Sequence, residues 1–471
     1  MRKKHSILSM LTVMLLLSAC SFSPKYQRPE MPVTEAFPQP AENPDAPVTS
    51  HSGAWSTPET GWRTFFPDPV LQGLISTALE HNRDLKAAAL AVEQYQALYR
   101  IQRAAQFPAI GGGAGFAKQR AQNSQGRTLT ETYSASVGIT AYEVDLFGRV
   151  RNLKDAALER YLGMEQTYRS AVISLVAETA GVYLSLLADT QLSAISRETF
   201  ENENESFRLI GYRVKEGVTN EMELAQARSS LENARSSQAL YDRLILQDQN
   251  ALALLTGSPC PKLDLENKWL ETRQMIHAFP AESSSQILLQ RPDIMAAEHE
   301  LKAAHADIGA ARAAFFPTIA LTTSAGVMSP TLGDLFESGS GVWLFNPTVT
   351  VPVFTGGRLQ GQLDAAEIRK ETAVVLYEKA IQSAFREVAD ALAARDGYAR
   401  QLMAQKELLA ASERYYALAK QRYEKGVDSF LTLLDAQRQL FGARQAYVNL
   451  EFAQMLNQVT LYKALGGGWK A

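Results

Sequence analysis

Arg103-Ala104-Ala105-Gln106-Phe107-Pro108-Ala109-Ile110 and Arg312-Ala313-Ala314-Phe315-Phe316-Pro317-Thr318-Ile319 are two versions of one phrase, 209 residues apart. The same offset relates Asp84 to Asp293, Gly148-Arg149 to Gly357-Arg358, Glu178 to Glu387, Gly217-Val218 to Gly426-Val427, and Leu252 and Gly257 to Leu461 and Gly466. One offset serves every pair, so the segments between them have equal lengths. The chain is therefore two copies of one structural unit of about 200 residues.

Working outward from the phrase, each unit opens with a helical pattern. Leu71, Leu74, Ile75, Ala78 and Leu79 fall on one helix face. The pattern predicts a single helix running for about 33 residues to Gln106, with Pro108 marking its end. Two strand-like runs follow the phrase. The first, near 107–116 and 317–327, is rich in glycine and alanine. In the second, Tyr133, Ala135, Val137, Ile139 and Ala141 alternate with Ser134, Ser136, Gly138 and Thr140. Its twin sets Trp343, Phe345, Val349, Val351 and Val353 against Asn346, Thr348 and Thr350. Period two gives each strand one apolar and one polar face. Polar or glycine-rich connections are expected near 119–130 and 328–340.

After Gly148-Arg149 and Gly357-Arg358 the helical pattern resumes. No proline interrupts the chain between Pro108 and Pro259, or after Pro352. Long helices are expected from Arg149 to about Glu216 and from Arg358 to about Lys425, each roughly 100 Å long at 1.5 Å per residue. Gly217 and Gly426 stand where a helix takes a left-handed C-terminal glycine. Fresh N-caps follow: Thr219-Asn220, with Glu223 as a capping-box partner, and Asp428-Ser429. A third helix of about 37 residues then returns to Gly257 or Gly466. Leu224, Ala227, Leu231, Ala234, Tyr241, Ile245, Leu252 and Leu255 keep a heptad beat, as do Leu433, Ala436, Leu440, Ala443, Tyr447, Leu450, Leu461 and Ala464, which is the pattern of coiled-coil packing. The two short helices of a unit together match the long one. A hairpin is therefore expected at one end of each unit and a helix-to-helix turn at the other.

The N-terminus carries an address. Arg2, Lys3 and Lys4 precede a short apolar run, Ile7 to Leu17, too short for a spanning helix. It ends in Leu17-Ser18-Ala19-Cys20-Ser21, which resembles the bacterial lipobox, and that resemblance makes Cys20 the lipidated first residue of the mature chain. The absence of aspartate at position 21 is similar to lipoproteins of the outer membrane. Several acyl chains at about 0.8 kcal/mol per buried CH₂ anchor firmly. Eight of the 19 prolines lie between Ser21 and Thr60, so this stretch reads as an extended tether. The domains expected are a signal peptide (1–19), the tether (20–60), a first repeat (61–261) with its hairpin near 107–145, a connecting segment (262–283), and a second repeat (284–471) with its hairpin near 317–354.

Composition narrows the function. A formal charge of -3 leaves no basic footprint for nucleic acid, and 46% hydrophobic residues is ordinary for a packed core rather than a bundle of membrane helices. With Cys20 processed, Cys260 is left alone, so no internal disulfide is expected. His299-Glu300 begins like a zinc-protease helix, but Ala303 stands where the second histidine belongs, and His299 reads as part of a solvated helix face. Gly111-Gly112-Gly113-Ala114-Gly115 lacks the lysine of a phosphate loop and reads as strand packing. Catalytic residues, metal ligands and cofactors are not expected.

Four strands with one apolar face cannot close a barrel, and an open edge cannot sit in lipid. If these strands span a membrane, copies must share a barrel, and spanning barrels start at about eight strands. Two copies supply eight strands and three supply twelve.

The lipobox, Tyr26-x-Arg28-Pro29, the duplication, Phe107-Pro108, Asp145-Leu146-Phe147-Gly148-Arg149, Arg312-Ala313-Ala314-Phe315-Phe316-Pro317 and Leu433-Leu434-Asp435-Ala436-Gln437 together resemble the outer-membrane factor family, in particular its OprM-like lipoprotein branch, to which TolC is a more distant relative. The resemblance covers essentially the whole chain. It implies a mostly α-helical fold with a membrane β-barrel portion: a homotrimer with a shared 12-stranded outer-membrane barrel on a periplasmic α-barrel of coiled-coil helices. It implies docking to a periplasmic adaptor and a proton-driven inner-membrane transporter, and passive exit of drugs and toxic compounds, with no enzymatic activity. Residue by residue, Cys20 matches the lipidated cysteine. Gly217-Val218-Thr219 and Gly426-Val427-Asp428 match the periplasmic tips that meet the adaptor. Tyr423 and Glu424 are candidates for the closed aperture by position. A protein-secretion or metal-efflux duct of the same fold is one rival, although the 11 methionines are scattered. A periplasmic coiled-coil adaptor or structural lipoprotein is the other, but it leaves the hairpins' apolar faces unexplained.

Overall fold

A computed structural model of the chain describes residues 22–38, 61–123, 126–263, 265, 268, 269 and 284–467. Among these the elements run in chain order as helices α1 (Trp62–Phe65), α2 (Pro69–His81) and α3 (Arg83–Ala104), strands β1 (Ile110–Asn123) and β2 (Gly126–Glu143), helices α4 (Arg149–Lys215) and α5 (Glu221–Thr256), a 3₁₀ turn (Ser285–Gln290), helix α6 (Pro292–Ala313), strands β3 (Thr318–Ser329) and β4 (Gly341–Thr350), and helices α7 (Arg358–Glu424) and α8 (Phe430–Ala464). The two long helices have 67 residues each. The chain packs as two compact units, and each draws on both repeats. One holds Ala91–Glu165, Ala296–Glu378 and the stretch up to Glu30; the other holds Met31–Leu90, Gln166–Met295 and Lys379–Ala471.

The first unit contains the antiparallel sheet, in the order β1-β2-β3-β4. Register places Val137 beside Gly112 and Ala325, and Ala325 beside Trp343. Ile110, Ala114, Phe116, Tyr133, Ala135, Val137, Ile139, Trp343, Phe345 and Val349 therefore share one face, while Ser134, Ser136, Ser324, Asn346 and Thr348 share the other. The alternation read from the sequence fails at one point. The register shifts between Ile139 and Tyr142, and Ala141 adopts φ 52, with its N–H donating to Thr322 Oγ1 at 3.2 Å. This bulge puts Tyr142, not Ala141, in line with Leu321. The close backbone approaches lie at Gly138 and Gly326, where a Cβ would fall onto the carbonyl oxygens of Thr323 and Ala135. The glycine run in β1 has open space at Gly111 and Gly113 instead. The first hairpin is also longer than expected: β1 continues to Asn123 and β2 starts at Gly126, so most of the supposed connection at 119–130 is paired strand. In the second strand of the other hairpin, pairing stops at Thr350, leaving Val351 and Val353 beyond it.

The helical part of the first unit is built on small residues. Ala156 of α4 packs on Ala303 and Ala306 of α6, and Ala304 of α6 packs with Ala373 of α7. Alanine lets the helix backbones approach, and longer side chains then lock them: Arg160 reaches Asp307 at 2.5 Å, and Arg312 reaches Glu367 at 3.0 Å. His299 is not solvated as expected. It lies 2.7 Å from Glu159 across α4 and α6 and is mostly buried. The tether crosses α6 with Tyr26 and Arg28 both held by Glu298, at 2.9 and 2.8 Å.

In the second unit the expected single opening helix breaks at Asn82. Its backbone is extended (φ −60, ψ 131), it ends α2, and its Oδ1 accepts from Leu85 N to start α3. Its Nδ2 donates to the Leu255 carbonyl at the end of α5, at 3.0 Å. The repeat-equivalent Arg291 donates to the Ala464 carbonyl at the end of α8, at 2.5 Å. Each repeat thus ties its start to its end through one side chain at the same position, which satisfies a helix-terminal carbonyl that has no partner of its own. Asp68 caps α2, accepting from Val70 N, and also receives the Tyr183 hydroxyl at 2.9 Å. Phe65 stacks on Tyr462 with centroids 4.6 Å apart, and Phe66 stands edge-on to both at 4.7 and 5.4 Å, all three almost fully buried.

The heptad reading of α5 matches its buried face. In α8 it departs between Ala443 and Leu461: Val448, Glu451, Met455 and Val459 are buried, not Tyr447 and Leu450, while Leu461 and Ala464 are buried as expected. Buried Glu451 accepts from Trp269 Nε1 at 3.1 Å, so the connecting segment supplies the partner that lets a carboxylate sit in the seam.

Candidate functional site

The two helix-to-helix turns meet in the second unit. Each long helix ends on a glycine in the left-handed region, Gly217 at φ 69 and Gly426 at φ 72. Both close the same way. Val218 N donates to the Arg213 carbonyl (2.8 Å) and Gly217 N to Val214 (3.0 Å); Val427 N donates to Arg422 (2.9 Å) and Gly426 N to Tyr423 (2.9 Å). These are paired Schellman closures, which only a residue without Cβ adopts freely.

Beneath the turns a shared apolar cluster joins four helix ends. Ile210 of α4, Ala227 of α5 and Phe430, Leu433 and Leu434 of α8 are buried, with Val214, Leu224, Tyr416 and Tyr423 packed against them. Above it, Val218 is 64% and Val427 61% exposed. Gly217, Gly426 and Glu424 are exposed too, while Thr219, Asp428 and Tyr423 are half-buried. The tip is thus a rigid apolar base carrying two short exposed turns, each with a valine pointing to solvent. Exposed charged side chains, Lys215 and Glu216 in one repeat and Glu424 and Lys425 in the other, stand directly before these turns.

The start signals differ between the turns. Asn220 caps α5, accepting from Glu223 N at 3.1 Å, and Thr219 Oγ1 hydrogen-bonds the Glu223 carboxylate. Ser429 at the start of α8 makes no such bond to the backbone. Its neighbour Asp428 is engaged by Arg422, with contacts of 2.6 and 2.9 Å. Those bonds hold the Asp428 carboxyl below the usual carboxylate range. The expected capping pair in the second turn is replaced by an ion pair across it.

Tyr423 is tied within the chain: its hydroxyl accepts from Arg213 Nη1 at 2.6 Å, and its ring lies 5.8 Å from Phe430. Glu424 is exposed. Sequence reasoning passed over Arg213. The signal was available, because Arg213 and Arg422 are the same position in the two repeats, four residues before each tip glycine. The structure turns them to different uses, one crossing to the other repeat's tyrosine and one closing its own turn. Cys20 lies outside the described residues.

The family model described as "Outer membrane efflux protein" matches residues 74–258 and 283–467. The antibiotic efflux pump outer membrane protein ArpC of Pseudomonas putida is 46% identical over 98% of this chain and 96% of its own. The cation efflux system protein CusC of Escherichia coli O157:H7 is 42% identical, over 97% and 98%. Among solved structures, the open state of the Neisseria gonorrhoeae MtrE outer membrane channel is 36% identical with a TM-score of 0.84, covering 96% of this chain and 99% of that one. A duplicated architecture, a sheet with one apolar face whose edges pair with no other strand among the described residues, and matches along almost the whole length agree: this chain belongs to the outer membrane efflux protein family.

Proposed function

We propose that this protein is the outer-membrane exit duct of a tripartite efflux pump, a passive channel and not an enzyme. The observation that carries the reading is the sheet. Its apolar face is exposed, with Trp343 80%, Phe345 59%, Val349 59% and Val137 58% accessible. Its edges β1 and β4 pair with no other strand among the described residues. Edges in lipid must be closed, and copies of the same chain are the economical means. Three copies give a 12-stranded barrel, the number the family resemblance implies.

Cys20 carries the lipid in this reading and holds the chain at the outer membrane. The tip turns at Gly217-Val218-Thr219 and Gly426-Val427-Asp428 receive the periplasmic adaptor, which links the duct to a proton-driven transporter of the inner membrane. Glu424, exposed beside the turn, is the aperture residue; Tyr423 supports it through Arg213 and Phe430. The cargo is organic, drugs and solvents, in keeping with relatives whose names speak of antibiotic and toluene efflux.

The test is single-channel recording of the detergent-purified protein in a planar bilayer, with mass photometry of the same sample. Trimers that insert and show a small, mostly closed conductance are expected. Monomeric rods without conductance would overturn the reading in favour of a coiled-coil adaptor.

A further inference from the structure

We propose that the duct wall carries a basic subsite, built by both repeats together, that takes the carboxylate or sulfonate groups of small organic anions in transit. This rests on the duct reading. The subsite lies wholly in the unit that contains the sheet.

Helix α6 shows which side of the wall is which. Along one stripe it carries the tether: Ser23 Oγ donates to the His305 carbonyl at 3.0 Å, Tyr26 stands edge-on to His305 at 5.6 Å, and Glu298 holds both Tyr26 and Arg28. Gly309 belongs to the same stripe, since a Cβ there would lie 2.9 Å from Ser23 Cα. A segment leading to a lipid anchor runs on the outside of a duct. Asp307 follows Glu298 by nine residues, a rotation of about 180° at 100° per residue. The face with Asp307, Ala310 and Ala314 is therefore the inner one. It lines an open groove of about 700 Å³ with Arg149 and Arg160 of α4 and Arg358 and Arg369 of α7.

The duplication makes the charge count informative. Arg149 and Arg358 are one position in the two repeats, and Arg160 and Arg369 are another. Each copy thus delivers the same two guanidiniums to one groove. The acid is not duplicated, because Leu98 stands where Asp307 has its counterpart. Arg149 is spent on Glu143 (2.5 Å), and Arg160 on Asp307 (2.5 Å) with Glu300 at 4.0 Å. Two acids of α7 near the groove are engaged elsewhere, Glu367 on Arg312 and Asp364 on the Gln360 amide, and Glu371, two residues beyond Arg369, is turned about 200° round the helix from it. Arg358 touches only the Gln362 side-chain carbonyl, at 3.4 Å, and Arg369 has no acidic partner among the described residues. Two exposed guanidiniums per chain, eleven residues apart on one helix face, remain uncompensated. Their planar forks match carboxylate and sulfonate oxygens two at a time.

A naphthalene trisulfonate added from the barrel side of channels in a planar bilayer tests this. Wild-type current is expected to fall with its concentration. In Arg358→Gln/Arg369→Gln the half-blocking concentration should rise about tenfold, in Arg369→Gln alone about threefold, and Arg358→Lys/Arg369→Lys should recover part of the loss. Mass photometry checks that each variant is still assembled; if the double variant is not, Arg369→Gln alone decides. Channels that form in all the proteins and block equally overturn the subsite and leave the duct standing. Wild-type block by spermine as strong as by the trisulfonate overturns the subsite too. Wild-type protein that makes no channel overturns both.

Discussion

Glu203 of α4 is 4% exposed, and its Oε2 has no hydrogen-bond partner among the described residues. Burial raises its carboxyl pKa from 4.5 to about 7; the charge of Arg438 pulls the other way but does not prevail. The folded state therefore holds a proton that the unfolded chain releases above pH 4.5. Stability is full below that value, falls as pH rises to about 7, and stays reduced above it. Glu203→Gln should abolish this dependence and leave the protein more stable above pH 7, by on the order of 3 kcal/mol per protomer. Denaturant unfolding of both proteins from pH 4 to 8 measures it, and parallel profiles would refute it. Asp248, raised to about 6 by burial and then by Asp189, bends both profiles in the same direction, so only their difference counts. A second residue-scale prediction concerns the tether. Burial of Glu298 would raise its pKa, but bonds from Arg28, Tyr26 and Lys302 outweigh it and hold the carboxyl down. Because Arg28 is half exposed, Glu298→Ala should cost about 2 kcal/mol, less than losing a fully buried pair. The loss should show as faster amide exchange at residues 25–30 while the sheet stays protected; unchanged exchange would remove the clamp's importance. The motif Tyr26-x-Arg28-Pro29 was legible in the sequence. Its partner was not, because nothing local marks a carboxylate 270 residues away.

Among the elements, the two repeats are a controlled comparison. Their turns share glycine closures but not caps. Asn220→Ala removes a bond to Glu223 N and should cost about 1 kcal/mol, whereas Ser429→Ala should cost a few tenths at most, since its hydroxyl faces Thr432 Oγ1 rather than a backbone donor. Exchange protection of the first turns of α5 and α8 in each variant reads this out; equal effects would show that the capping assignment is wrong. The long helices were legible almost to the residue, because glycine and proline punctuate them and nothing inside interrupts the pattern. The break at Asn82 was not. Asparagine can sit within a helical pattern, and here its side chain is drawn out of it by the Leu255 carbonyl, a tertiary demand. The departure in α8 has the same origin. Glu451 is buried with Trp269 Nε1 donating to it, and a heptad count that sees only apolar letters passes by a glutamate. At the tip the sequence located the turns but not the use of their arginines. Arg422 finds Asp428 six residues along its own chain, where the first repeat has Thr219, and Arg213, left without that acid, crosses to Tyr423 of α7.

For the molecule as a whole, the sheet decides how many chains are needed. Period two made its faces legible in the sequence, and the register of three strand pairs agrees with them except at the Ala141 bulge. The number of copies was not legible, because closure is a property of the assembly and both eight and twelve strands satisfy the edges of one chain. The face assignment makes a prediction in which a control separates charge from position. Val137→Lys with Val349→Lys puts two charges on the exposed apolar face, at about 2–4 kcal/mol each near the bilayer midplane. Multiplied over the copies that share a barrel, that should block assembly in the membrane. Thr132→Lys with Thr348→Lys adds the same charge to the same two strands on the opposite face, which is wet if the barrel is a conduit, and heat-stable oligomers should persist. Electrophoresis of unheated membranes and mass photometry of the extracted protein compare the two pairs. Loss of oligomers in the first pair alone fixes which face meets lipid. Loss in both would mean that the strands tolerate no charge on either side, and the inner face would then be packed rather than open to a passing solute.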